Sequence, residues 1–316
     1  MVDPALRERW AAGRASGSGS ELGRRGGENA TDARGIRSRA APAGGAAHHP
    51  ACPCSAQGIE GLAERGGGYA LGARRLNGRA GERCVSEGAD IPTGQVPVPA
   101  EARLLLVYGG TFDPPHRAHV ELPSLARDAI KADWLLYVPA GEGGAPLRGE
   151  TPGFSARERL EMLRAALRGR SRVSISTIEI DRPAQEGPCY TVDTVRKLRA
   201  ALPAHTAMRL LIGADQAAQF HRWREARTLI ELAEPVVMLR APVETWEKLA
   251  GAMRSTGGFW SDSELQQWGG RTIELPLMDI SATRVRELLV RGQDGAAELR
   301  KLVPEPVVDF IRNRRR

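Results

Sequence analysis

The chain has 316 residues, 41% of them hydrophobic, and a formal net charge of +7 from 45 Lys plus Arg against 38 Asp plus Glu. That length allows one large domain or two small ones. No apolar stretch reaches membrane length and residues 1–10 lack a signal-peptide core, so a cytoplasmic protein with reduced thiols and no membrane partner is expected.

A basic balance invites a polynucleotide partner. Only Lys131, Lys197, Lys248 and Lys301 are lysines, however, and the arginines run along the whole chain. Compositional bias explains the charge, and nucleic-acid binding is not expected.

Residues 1–100 hold 19 of the 36 glycines but only Trp10 and Tyr69 of the aromatics. Little apolar surface is available there to offset chain entropy, so a low-complexity, disordered extension is expected, with one domain over 101–316. His48, His49, Cys52 and Cys54 lie together in that extension, but lack the paired spacing of a structural zinc site; no resident metal is expected.

From residue 101 the pattern changes. Residues 103–108 form an apolar run suited to a strand buried on both faces, ended by Gly109 and Gly110. Residues 119–131 have helical apolar spacing, with Pro123 expected in the first turn. A strand follows at 134–139. Ser155 with Glu158 makes a capping box ahead of a helix carrying Leu160, Leu163 and Leu167. Residues 173–180 alternate as a strand does, and 191–202 are helical. Strands are expected at 209–212, 235–239 and 273–275, and helices near 216–223 and 282–290. This alternation argues for an α/β fold: a Rossmann-like, doubly wound, largely parallel sheet with helices on both faces. Such sheets bind ligands beyond the carboxyl ends of their strands.

One of those ends carries Gly109-Gly110-Thr111-Phe112-Asp113-Pro114-Pro115-His116, then His119. Glycines after a strand let backbone N–H groups meet phosphate oxygens, and a helix starting near His116 favours an anion at its N-terminus. His116 and His119, three apart, share a helix face and can each donate a hydrogen bond. A polyphosphate ligand fits; so does a pair of surface histidines that merely cap a helix.

Residues 109–119 resemble the signature of the nucleotidyltransferases whose motif is His-x-Gly-His, and within them nicotinate-nucleotide adenylyltransferase. The resemblance runs from Leu104 to Ile311. It is carried by Val138-Pro139-Ala140, Pro146-Leu147-Arg148, Arg159-Leu160-Glu161-Met162, Tyr190-Thr191-Val192-Asp193-Thr194, Ile212-Gly213-Ala214-Asp215 with Phe220 and Trp223, Ile280-Ser281-Ala282-Thr283-Arg284-Val285-Arg286, and Leu302-Val303-Pro304 ahead of Phe310-Ile311. Three positions depart from the family pattern. Ala118 stands for the glycine between the histidines, Ala282 for a second serine and Leu147 for a histidine. Alanine is the smallest such change, so ATP binding is expected to survive.

The resemblance implies adenylyl transfer from ATP to nicotinate mononucleotide, giving deamido-NAD and pyrophosphate, without a covalent enzyme intermediate. It implies that Gly109, Gly110, Thr111 and Phe112 cradle ATP and that His116, His119 and Arg286 stabilise the transferring group. Ser281, Thr283, Gly213 and Asp215 would complete the ATP site. Arg148, Tyr190, Thr191 and Trp223 would bind the second substrate, the tryptophan against the pyridine ring. Mg²⁺ would arrive with ATP. Each residue has a plainer reading: Ser281 and Thr283 as a cap, Asp215 as a turn residue, Trp223 as core, Arg148 as a loop arginine and Asp113 as a turn residue with no ligand role. The sequence leaves open another adenylyl- or cytidylyltransferase of the same fold, such as the pantetheine-phosphate or nicotinamide mononucleotide enzyme, or a non-catalytic basic interaction protein. It is compatible with a homo-oligomer.

Overall fold

The computed structural model describes residues 90–142, 152–183, 186–239 and 243–314, which fall within one compact unit. The zinc reading of residues 48–54 lies outside them, as does Arg148. Seven strands form one sheet: β1 (Thr93–Gly94), β2 (Leu104–Gly110), β3 (Trp134–Pro139), β4 (Val173–Ser176), β5 (Ala207–Gly213), β6 (Glu234–Met238) and β7 (Thr272–Ile273). Their order is β1-β4-β3-β2-β5-β6-β7 and every pairing is parallel. From β2 the chain winds outward through β3 and β4, then reverses to β5, β6 and β7. The reversal leaves a crevice at the carboxyl ends of β2 and β5, the place where open α/β sheets take ligands.

Burial on both faces follows from the pleat. Leu106 and Tyr108 of β2 join one core cluster, Leu105 and Val107 the other. The first is closed by α1 (Arg117–Ala129), α2 (Ala156–Leu167), α8 (Ala282–Arg291), α9 (Ala296–Leu302) and α10 (Glu305–Asn313). The second is closed by α3 (Thr191–Ala201), α4 (Ala214–Ala218), α5 (Ala226–Leu232), α6 (Trp246–Arg254) and α7 (Asp262–Gly269). Ser155 starts α2 as its sequence indicates: its hydroxyl accepts from Glu158 N, and its own N–H donates to the Glu158 carboxylate at 2.9 Å. Among the described residues no helix is long and apolar enough to cross a membrane.

The structure corrects four expectations. The folded part begins before residue 101, because β1 pairs with β4 and Ile91 is buried beneath it; a two-residue strand carries too little pattern to read. β4 stops at Ser176, where the alternating run turns: Thr177 Oγ1 donates to Asp181 Oδ2 at 2.6 Å and Asp181 N to Thr177 O at 2.8 Å. The helix expected over 216–223 divides into α4 and a 3₁₀ turn at Phe220–Arg222. Finally, Pro123 sits in the second turn of α1, not the first. Proline there leaves the His119 carbonyl without its helical donor. Tyr137 of β3 supplies one, donating from its hydroxyl to His119 O at 2.9 Å.

Candidate active site

The loop after β2 is shaped by its aromatic residue. Gly109 is exposed, and a Cβ there would meet only Val138 O at 3.9 Å, so the strand end is open. Gly110 has a different constraint: a Cβ would stand 2.9 Å from the Phe112 ring. That ring is buried against Tyr108, Tyr137 and His119 at centroid distances of 5.6, 5.8 and 5.2 Å. Phe112 takes a left-handed φ of 52°, a conformation that a non-glycine residue holds only when its surroundings insist. Thr111, half-buried, lies between them.

His116 is the residue that opens α1, and its ring stacks on that of His119 with centroids 3.6 Å apart and planes 19° apart. His116 N donates to His119 Nδ1 at 3.3 Å. An imidazole nitrogen that accepts carries no proton, so neutral His119 bears its hydrogen on Nε2. The capping role and the ligand role are therefore compatible: one nitrogen caps the helix and leaves the other as a donor. His116 is 1% exposed whereas His119 is half-buried, so His119 presents the more accessible ring. Ala118 belongs to the core cluster on the α1 side, at 6% exposure.

Arg286 of α8 reaches this loop. Its Nη1 donates to Asp113 O at 3.2 Å and lies 3.8 Å from Asp113 Oδ2, while Nη2 donates to Thr283 Oγ1 at 3.2 Å. Ser281 caps α8, accepting from Arg284 N. Arg284 is committed to Glu298, at 2.7 Å, and to Glu287. Of the two arginines, Arg286 is thus the one joined to the turn that carries His116.

Across the crevice Gly213 ends β5 and precedes α4, where Asp215 accepts from Gln216 Nε2 at 3.1 Å. Tyr190 opens α3 at Thr191, and the Arg224 guanidinium lies 4.8 Å from its ring centroid. Arg196 of α3 donates to Glu225 at 3.0 Å. These contacts bring Tyr190 and Thr191 up to the turn holding Trp223. One face of Trp223 is stacked on Phe220 at 4.8 Å. Beside α3 is a cavity of about 340 Å³ lined by Glu179, Arg182, Cys189, Thr194 and Lys197, among others. Burial pushes the Glu179 carboxyl up, against a hydrogen bond from Thr194, and likewise raises the Cys189 thiol.

The cytidylyltransferase-like family model matches residues 107–288. A stretch of 214 residues is 36% identical to a Marinobacter nauticus protein named probable nicotinate-nucleotide adenylyltransferase, covering 66% of this chain and 93% of that one. The chain belongs to the cytidylyltransferase-like family, on its nicotinate-nucleotide adenylyltransferase branch. The Gloeobacter violaceus protein of the same name is 34% identical over 213 residues, covering 66% of this chain and 93% of its own. The nicotinic acid mononucleotide adenylyltransferase of Plasmodium falciparum, solved with NaAD, shares the fold at a TM-score of 0.50 and 16% identity, over 67% of this chain and 95% of that one. This nucleotidyltransferase also contains residues that the motifs displayed without indicating a part in the site. Asp113 does more than turn the chain, since it meets Arg286. Arg159 is wholly buried; its place on the apolar stripe of α2, between Ala156 and Leu163, was the available signal.

Proposed function

We propose that this nucleotidyltransferase moves the adenylyl group of ATP onto nicotinate mononucleotide, a step in NAD biosynthesis carried out in the cytoplasm. A phosphate oxygen of the mononucleotide attacks the α-phosphorus of ATP. The new P–O bond makes nicotinic acid adenine dinucleotide, and the bond to the β-phosphate breaks, so pyrophosphate leaves with the electron pair. No enzyme nucleophile is needed, and the protein's task is positioning and charge stabilisation. Gly109, Gly110, Thr111 and Phe112 offer the loop that holds the phosphates, with Gly213 and Asp215 across the crevice for the nucleoside. His119 donates from Nε2 to the transferring group with His116 stacked behind it, and Arg286 with Thr283 and Ser281 faces the departing pyrophosphate. Tyr190, Thr191 and Trp223 receive the pyridine nucleotide, and Arg148 is assigned to its phosphate or to pyrophosphate.

The observation that carries this reading is that the stacked histidines and Arg286 are tied to one turn at the switch point of the sheet. Magnesium is assigned to ATP and not to Asp113, whose carboxylate already accepts from two backbone N–H groups. Bound to the triphosphate, it would supply charge neutralisation.

The test is pyrophosphate release with ATP and, in turn, nicotinate mononucleotide, nicotinamide mononucleotide and phosphopantetheine. The expected result is the highest kcat/KM for the nicotinate compound, lost in His119→Ala. Preference for either other acceptor would replace the substrate assignment, and no release with any of the three would overturn the catalytic reading.

A further inference from the structure

Two buried charged side chains take no part in the proposed chemistry yet bind the segments that carry it. Arg159 donates from Nη1 to Thr111 O at 2.7 Å, from Nη2 to Gly141 O at 2.8 Å and from Nε to Phe154 O at 3.2 Å. Those carbonyls belong to three segments: the loop after β2, the chain just past β3, and the approach to α2. Asp113, 4% exposed, accepts from Gly153 N at 2.8 Å and Phe154 N at 2.9 Å, and it meets Arg286 through both its carboxylate and its carbonyl.

We propose that Asp113 and Arg159 are positioning residues for adenylyl transfer, fixing the direction of the Thr111–Phe112 peptide and holding Arg286 against the phosphate loop. The assignment rests on ATP occupying that loop. In a planar trans peptide the C=O and N–H point opposite ways. Arg159 draws the Thr111 carbonyl to itself and so turns the Phe112 N–H away from the buried guanidinium. It thereby holds one side of a residue whose φ is 52°. The three carbonyls are met by three different nitrogens of one rigid plane; an ammonium also has three donors, but all on a single nitrogen, so it does not reproduce that spread. Burial lowers the Arg159 pKa, with the charges of Asp113, Glu142 and Glu179 opposing it; a guanidinium starts so far above neutral pH that it stays ionised. Asp113 performs the matching task for Arg286, since its turn supplies both an anion and a carbonyl to the same Nη1.

The experiment compares Asp113→Asn and Arg159→Lys with the wild-type chain. It reads KM and kcat for each substrate, the Kd for ATP alone, and Tm. The expected result is a loss of roughly 10–100-fold in kcat/KM for ATP, the scale of a misplacement of about 1 Å, with KM for nicotinate mononucleotide nearly unchanged. Adding Asp113→Asn to Arg286→Lys should cost little more than Arg286→Lys alone. Wild-type ATP constants in both variants would overturn the proposal, as would constants for both substrates that fall together in step with Tm. If Arg159→Lys does not fold, Asp113→Asn carries the test. A wild-type chain that fails to use nicotinate mononucleotide defeats the functional reading instead, and the Kd for ATP then still decides the positioning roles.

Discussion

His119 has two nitrogens in two tasks, and substitutions can separate them. Nδ1 accepts from His116 N, a position that asparagine's amide imitates; Nε2 is the proposed donor, which glutamine's amide imitates. His119→Gln is expected to keep more kcat than His119→Asn or His119→Ala, the last losing roughly 10²–10³-fold as when a transition-state donor is removed. Equal kcat for Gln and Asn would show that Nε2 does not donate in the transition state. The carbonyl of the same residue raises a separate question of stability. Tyr137→Phe removes the hydroxyl that donates to the His119 carbonyl and should cost about 0.5–1.5 kcal/mol in urea denaturation. Pro123→Ala restores a helical donor, so in that background the tyrosine hydroxyl should matter much less. If Tyr137→Phe costs the same in both backgrounds, the hydroxyl is not replacing the missing N–H. The sequence displayed the histidines, but not this arrangement, because Pro123 and Tyr137 belong to different elements and neither carries a motif.

Elements buried on both sides were the legible ones. The run that became β2 is continuously apolar, and the strand expected at 134–139 is β3 to the residue. Helices α5, α6, α7, α9 and α10 passed unread because each is short and draws its stability from packing. In α7 only Leu265 and Trp268 are buried. Its N-terminus is held by Ser261, Glu264 and, from α5, Arg227, whose Nε donates to Glu264 Oε1 at 3.0 Å. The Arg227 hydrogen bond leads in lowering the Glu264 pKa to about 2, with the Ser261 backbone next. A carboxyl held down in the folded state contributes stability above its unfolded value of 4.5, and the contribution disappears as pH falls toward 2. Glu264 and Arg227 are 28% and 55% exposed, so screening keeps the effect of pair and cap to about 1 kcal/mol. Glu264→Gln should therefore lower Tm near pH 6 and converge on wild type near pH 2. A difference in Tm that persists at pH 2 would show that the carboxylate's charge is not the source.

For the whole molecule, the informative experiment is where to begin the chain. Composition placed the boundary at residue 101, yet Ile175 N donates to Pro92 O at 3.0 Å and Thr177 N to Gly94 O at 2.8 Å, while Ile91 is 8% exposed and Val96 and Val98 pack on the second core cluster. A chain beginning at Asp90 retains all of these contacts; one beginning at Glu101 loses them and opens β4 as an edge. Losing a buried isoleucine alone costs roughly 1.5–3 kcal/mol, or about 3–12 °C in Tm for a domain of this size. An uncovered edge also invites association between copies. β1 lies three strands from β2 in the sheet order, so kcat measured well below Tm should be alike in the two truncations. Scanning fluorimetry, light scattering and pyrophosphate release on both chains separate the effects. Equal Tm values would remove β1 from the folding unit, whereas equal Tm with unequal kcat would mean that residues 90–100 act on the active site directly.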